Sequence, residues 1–349
     1  MYYAITSPHG GDVGRAGVEL DLSANINPLG TPASVIKAAE EALARSDLYP
    51  DPYCRGLTAA ISAYEDIPRE HILCGNGASE LIYSFCAAER PKTALEFAPT
   101  FSEYSSALEV NGCRVERHFL RPEDAFLPDS SFLGHIERLR PDAVFICSPN
   151  NPTGRLIPPP LLDEIFSLCR KEGIRLFVDE CFLDLSDAPE GMKKLTAHHP
   201  GLFILKAFTK NYGMAGLRLG YCLCSDTALL ARMAELTAPW NVSAPAQAAG
   251  EAALREREHV LKARELIRAE RALLASALAE RGLSVVPSEA NFLLFRGPAE
   301  LGEKLLERGV ALRSCANFPG LSPGWYRTAV RGRGENLRLI SALDECLPG

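Results

Sequence analysis

The sequence predicts an α/β fold: a mostly parallel central sheet flanked by helices, with a smaller α/β domain beside it. Three observations point there. Between Ile72 and Leu223, short apolar runs alternate with amphipathic segments at the spacing of strand–crossover–strand units. The runs themselves are continuously apolar, as in Ala143-Val144-Phe145-Ile146-Cys147, which suits strands buried on both faces. After Trp240-Asn241-Val242-Ser243 the texture changes to a long charged helix and a second, shorter alternation. The length of 349 residues leaves room for two domains of about 150 residues each. We expect a large domain over residues 46–245 and a discontinuous small one over residues 1–45 and 246–349.

In chain order, Thr31 followed by Pro32 reads as a helix start, a hydroxyl cap before a proline in the first turn. That helix should reach about Arg45, with Val35, Ile36, Ala39 and Leu43 on its apolar face. Tyr49-Pro50-Asp51-Pro52 breaks the chain, and a second helix follows from about Gly56 to Tyr64. Strands are expected at Ile72 to Cys74, Thr93 to Phe97, Cys113 to Phe119, Ala143 to Cys147, Ile174 to Val178, Leu202 to Leu205 and Leu217 to Leu223. Helices should fill the gaps, ending near Ala88, Val110, Leu139 and Lys171. Residues 251 to 281 read as one amphipathic helix with Leu254, Leu261, Ile267, Leu274 and Leu278 in line and Gly282 as its stop. Four short strands and a helix from Glu335 complete the chain.

Composition removes several functional classes. Hydrophobic residues at 47% and charged residues at 23% are ordinary for a soluble globular enzyme. A net charge of −7 without a basic run argues against a nucleic-acid partner. No apolar run approaches the roughly 18 residues of a membrane span, and Met1-Tyr2-Tyr3-Ala4-Ile5 lacks the regions of an export signal. The eleven cysteines are scattered through apolar segments with no Cys-x-x-Cys pair, so they read as reduced core thiols of a cytoplasmic protein. His198-His199 has no partner at metal-ligand spacing, and no metal site emerges.

In open parallel sheets, ligands bind outside the carboxyl ends of the strands. Five polar or aromatic features fall there: Gly75-Asn76-Gly77-Ala78-Ser79, Phe101, Asn151-Pro152-Thr153-Gly154, Asp179 and Lys210. Taken singly, each has a plain alternative: a common turn, a core aromatic, a helix cap, one solvated lysine among many. Together they offer an anion cradle at a helix start, an aromatic face, an amide, a carboxylate and an amine. Such a set suits an aromatic, phosphorylated, carbonyl-bearing ligand, because an amine over an apolar floor has a lowered pKa and becomes a nucleophile toward a carbonyl.

The order Gly-x-Gly-Ala-Ser-Glu, Asn-Pro-Thr-Gly, Asp-Glu and Thr-Lys…Gly-Leu-Arg-Leu-Gly-Tyr resembles pyridoxal-phosphate enzymes of the aspartate-aminotransferase fold, in particular the histidinol-phosphate aminotransferase branch. Within it, His9-Gly10-Gly11, Ser23-Ala24-Asn25-Ile26-Asn27-Pro28-Leu29-Gly30 and Arg313-Ser314-Cys315-Ala316-Asn317-Phe318-Pro319-Gly320-Leu321 resemble the L-threonine-O-3-phosphate decarboxylases of cobalamin synthesis. The likeness spans essentially the whole chain.

The resemblance implies pyridoxal 5'-phosphate as cofactor, bound covalently through Lys210, with Lys206 as the nearest rival lysine. It implies Asp179 at the ring nitrogen, Asn151 at the ring oxygen and Phe101 stacked on the ring. Gly77, Ala78, Thr209 and Arg218 would grip the cofactor phosphate, and Tyr49 would reach the phosphate of a neighbouring subunit, so a homodimer with shared sites is expected. For the substrate, the resemblance implies Arg327 and Asn151 at the carboxylate, and His9, Gly10, Asn25 and Arg313 at a phosphate. Two departures stand out. Ala207 replaces the hydroxyl residue usual three positions before the lysine, so one phosphate hydrogen bond is missing. Phe182 takes the place of a tyrosine typical of the aminotransferases and matches the decarboxylases.

The expected activity is decarboxylation of an O-phosphorylated 2-amino acid, L-threonine O-3-phosphate first, to an amino-alcohol phosphate and CO2. Rivals are a histidinol-phosphate-type aminotransferase, a phosphoserine decarboxylase, and a non-catalytic nucleotide-binding protein using Gly75-Asn76-Gly77 as its phosphate turn. The last lacks the third glycine of a dinucleotide fingerprint.

Overall fold

The computed structural model describes residues 9–11, 14, 17–188, 190–196 and 199–347. The opening Met1-Tyr2-Tyr3-Ala4-Ile5 and His198 lie outside them.

The strands, in chain order, are β1 (Leu20–Asp21), β2 (Ile72–Gly75), β3 (Thr93–Ala98), β4 (Arg114–Phe119), β5 (Ala143–Cys147), β6 (Arg175–Asp179), β7 (Leu202–Ala207), β8 (Gly220–Leu223), β9 (Ser284–Val285), β10 (Phe292–Arg296), β11 (Val310–Ala311), β12 (Arg313–Ser314) and β13 (Trp325–Ala329). Seven of them form the central sheet in the order β2-β8-β7-β6-β5-β3-β4. Neighbours from β7 through β4 are parallel, joined by covering helices. Strand β8 runs antiparallel to both β7 and β2. The residues between Ala207 and Gly220 hold only a one-turn helix, Phe208–Asn211, too short for the crossover that a parallel return needs.

The continuous apolar runs are buried throughout, as expected for strands covered on both faces. Phe145, Phe177 and Phe203 stand side by side in register on β5, β6 and β7. Their rings stack at 4.6 and 5.0 Å, and Phe85 of the helix Ala78–Glu89 leans onto them. Pairs of this kind add about 0.5–1.5 kcal/mol each beyond area burial. The register that aligns these rings also pairs Cys147 with Asp179 and Asp179 with Leu205. The carboxyl ends of β5, β6 and β7, Cys147, Asp179 and Ala207, therefore share one edge of the sheet.

A second, antiparallel sheet has the order β12-β13-β10-β9, and β1 pairs with β11 in parallel beside it. The segment after β1 is stitched to both sheets. Ala329 donates its amide to Leu22 O at 2.8 Å, and Asn27 donates its amide to Lys210 O at 3.1 Å.

Several elements differ from expectation. The helix Ala33–Leu43 buries Val35, Ala39 and Ala42 and leaves Ile36 and Leu43 exposed. The Thr31 hydroxyl does not cap it but donates to Gly213 O at 2.9 Å, a tertiary contact that outcompetes the local one. The single helix expected over 251 to 281 is two: Ala244–Ala253, capped by Ser243, and Arg257–Glu280, with Leu261 exposed. A helix Thr227–Glu235, capped by Asp226, had no counterpart in the sequence reading. The strand expected from Leu217 begins only at Gly220, because Arg218 sits at φ +58 and breaks the extension.

All eleven cysteines are buried and unpaired. Among the described residues no helix is long and apolar enough to cross a membrane, and no group of three or more His, Cys, Asp or Glu side chains is placed to hold a metal.

Candidate active site

A cavity of about 440 Å³ opens where the carboxyl ends of the central strands meet the second sheet. It gathers twelve of the fourteen expected site residues: His9, Gly10, Asn25, Ala78, Phe101, Asn151, Asp179, Thr209, Lys210, Arg218, Arg313 and Arg327. Gly77 adjoins it at φ +83, and a side chain there would lie 2.7 Å from the Arg218 guanidinium. Tyr49 is the exception. It is 80% exposed, stacks on Trp240 at 4.6 Å, and does not line the cavity.

Lys210 sits on the one-turn helix that follows β7, not on an open loop as the glycine-rich sequence suggested. Burial and the guanidiniums of Arg327 and Arg218 bring its ammonium down to about 8, against a smaller opposing pull from Cys181 and Asp179. The ring of Phe182 lies 5.7 Å from Nζ. The rival, Lys206, is inside β7 and lines a separate cavity of about 360 Å³. There its Nζ pairs with Asp184 at 3.2 Å and Glu65 at 3.4 Å. Despite burial, those carboxylates hold it above the usual lysine range, so it stays protonated and is no nucleophile.

Asp179, at the end of β6, is 5% exposed and has no ion pair among the described residues. Its Oδ1 accepts the Cys181 amide at 2.8 Å and its Oδ2 accepts the Tyr104 hydroxyl at 2.5 Å. Burial pushes its carboxyl up from the ordinary value, with these two bonds pulling the other way. Phe101 stands edge-on to Tyr104, and the His9 ring lies 6.0 Å from it.

On the opposite wall, Arg313 and Arg327 are both buried. Arg327 donates to Asn151 Oδ1 and, at 2.7 Å, to Ser23 O. Arg313 donates to Ser314 O and, at 2.8 Å, to Asn317 Oδ1. Neither guanidinium meets a carboxylate among the described residues, and burial brings Arg327 down to about 10. Asn25 is 2% exposed with neither amide atom hydrogen-bonded among the described residues. His9 Nε2 pairs with Glu103 Oε1 at 2.9 Å, which holds that carboxyl below its usual range. Glu103 and Tyr104 escaped the sequence reading. Their one signal was position, two and three residues after Phe101 at the start of a helix.

Buried guanidiniums and a carboxylate without ion pairs among the described residues, together with a softened amine, suit a ligand bearing several charges. The family model for aminotransferase class I and II matches residues 18–343. The chain belongs to the class I and II aminotransferase family. Within it, the chain is similar to the threonine-phosphate decarboxylase of Salmonella typhimurium, 38% identical over 98% of this chain and 97% of that one. It is also similar to the histidinol-phosphate aminotransferase of Symbiobacterium thermophilum, 33% identical over 93% of this chain and 90% of the relative. Among solved structures, the histidinol-phosphate aminotransferase of Clostridium acetobutylicum superposes with a TM-score of 0.87 at 28% identity, covering 93% of this chain and 98% of that one. The expected fold and the expected relatives are thus both borne out, and the chain is an enzyme of the fold type I pyridoxal-phosphate kind.

Proposed function

We propose that this aminotransferase-family chain is a pyridoxal-phosphate-dependent decarboxylase that converts L-threonine O-3-phosphate to (R)-1-amino-2-propanol phosphate and CO2, a reaction of cobalamin synthesis. The observation that carries the substrate class is the pair of buried guanidiniums in the Lys210 cavity, neither in an ion pair among the described residues, matched to two anionic ends on one small molecule. The reaction type is supported by the 38% identity to a threonine-phosphate decarboxylase and by Phe182 beside Lys210.

The residues present fit the cofactor. Asp179 has no ion pair among the described residues, and a protonated ring nitrogen would supply one, while Gly77 leaves the cradle at Arg218 open where a side chain would fill it. When bound, pyridoxal phosphate supplies a ring that accepts the electron pair of a bond broken at Cα. Lys210 would hold it covalently and afterwards carry the proton, a role for which an amine near 8 is suited. Gly77, Ala78, Thr209 and Arg218 would bind its phosphate at a helix start, Phe101 would lie against its face, and Asn151 would meet its ring oxygen. Arg327 and Asn151 would hold the substrate carboxylate, while Arg313, Asn25, His9 and Gly10 would hold the substrate phosphate.

The exposed Tyr49 supports a homodimer in which it reaches the partner's cofactor phosphate. We propose as well that residues 46–245 form a large domain and residues 1–45 with 246–349 a discontinuous small one.

A histidinol-phosphate-type aminotransferase is the second reading, favoured by the 0.87 TM-score to such an enzyme. Incubating the holoenzyme with O-phospho-L-threonine separates the two. CO2 release without a keto acid is expected, and keto-acid-dependent amino transfer without CO2 would overturn the decarboxylase. Running O-phosphoserine in parallel tests the methyl, worth about 1–3 kcal/mol of discrimination.

A further inference from the structure

We propose that Tyr104 is a positioning residue of this site, its buried hydroxyl holding Asp179 as a carboxylate turned toward the Lys210 cavity. The inference deepens the functional reading above and rests on it.

The geometry is specific. Tyr104 lies on the helix Glu103–Val110 and is fully buried, and its hydroxyl donates to Asp179 Oδ2 at 2.5 Å. The Cys181 amide takes Oδ1. The other titratable groups facing the carboxylate are Cys147 at the end of β5, Cys181 just past β6 and Lys210 past β7. Burial raises both thiols, so neither carries charge at neutral pH. That leaves Lys210 as the one cation facing Asp179 among the described residues, and it is a cation that gives up its proton when it reacts.

A buried carboxylate so placed tends to take up a proton. Protonated, Asp179 would present a hydroxyl toward the cavity and could not accept an N–H there. The Tyr104 hydroxyl opposes this because a donor stabilises the charged form of its acceptor. Tyr104 does not ionise in exchange, since burial and the adjacent Asp179 push its own hydroxyl well above the tyrosine range. It donates at every working pH. Tyr104 also braces Phe101 edge-on, so one side chain orients both the acid and the aromatic face of the cavity.

Tyr104→Phe tests this first on the apoprotein. Asp179 titrates above its unfolded value, so the native state loses stability as pH rises through the folded value. Without the hydroxyl that folded value moves up. The difference in melting temperature between wild type and variant should therefore be small near pH 4 and widen toward pH 8. On the holoenzyme, kcat should fall about 10–100-fold with KM within about 3-fold. The acid limb of kcat/KM should move to higher pH by about one unit. 3-Fluorotyrosine at position 104, a stronger donor of the same shape, should move the limb the other way. A melting difference constant across pH, or an unmoved acid limb in both variants, would reduce Tyr104 to packing. Failure of borohydride to fix pyridoxal phosphate to the chain would instead sink the functional reading, and the apoprotein melts would still decide the Tyr104–Asp179 bond.

Discussion

Arg313 and Arg327 face each other as directly paired residues of β12 and β13, both 6% exposed, with no carboxylate paired to either among the described residues. Like charges directly opposed on an antiparallel pair destabilise it. A ligand bringing negative charge to both positions would offset that cost.

Arg313→Ala should accordingly raise KM for O-phosphothreonine by about 10–100-fold, the range of one charge-assisted hydrogen bond. KM for unphosphorylated threonine should change by less than about 3-fold. Inorganic phosphate should raise the melting temperature of the wild type and not that of the variant. Equal effects on both substrates would remove the phosphate assignment.

The amine of Lys210 near 8 makes a pH prediction on the apoprotein. Only the neutral amine attacks an aldehyde, so the rate of pyridoxal-phosphate uptake should rise with pH and reach half its plateau near 8. Arg327→Ala removes the neighbouring guanidinium that disfavours the ammonium, so the midpoint should move upward. Stopped-flow absorbance reads both midpoints, and a downward move in the variant would contradict the electrostatic cause.

Lys206 and Lys210 should separate cleanly. In Lys210→Ala, borohydride should fix no cofactor to the chain, as peptide mapping would reveal. An adduct at Lys206 would reverse the assignment. Lys206→Met removes a buried cation from Glu65 and Asp184, which keep Lys193 at 2.8 Å and the Asn211 amide at 2.6 Å respectively, and should cost about 1–3 kcal/mol in denaturant unfolding. The folded fraction should still be labelled at Lys210.

Asp179→Asn should keep the cofactor and lose most turnover, at least about 100-fold, because a neutral amide cannot hold a proton on the ring nitrogen. Absorbance of the dialysed variant checks retention, and single-turnover kinetics check the rate. A near-normal rate would contradict the role given to Asp179.

Much of this site was legible because its parts lie at the ends of buried parallel strands, where sequence marks them sharply. Asp179 follows Leu176-Phe177-Val178, and Lys210 follows Phe203-Ile204-Leu205. Tyr104 and Glu103 were not, since a tyrosine or glutamate in a first helical turn is common and only the fold brings this one to Asp179. The same applies to Thr31, whose hydroxyl left its local cap for Gly213 O. Ile36 and Leu43 misled because an apolar periodicity cannot say which of two adjacent stripes meets the core. The break at residues 254–256 carries neither glycine nor proline, so nothing local announced it.

The reversed direction of β8 bears on how far the Lys210 amine can travel. Ala207 and Gly220 are rungs of one ladder, so the peptide carrying Lys210 leaves and re-enters the sheet at neighbouring points. Its midpoint is tethered as well, because Asn27 binds the carbonyls of Lys210 and Asn211. Backbone excursions would have to unzip that ladder, so the amine can change partners only by turning about its own side-chain bonds. Its reach is thus set by four methylene groups, and every atom it is to visit must lie within that short radius.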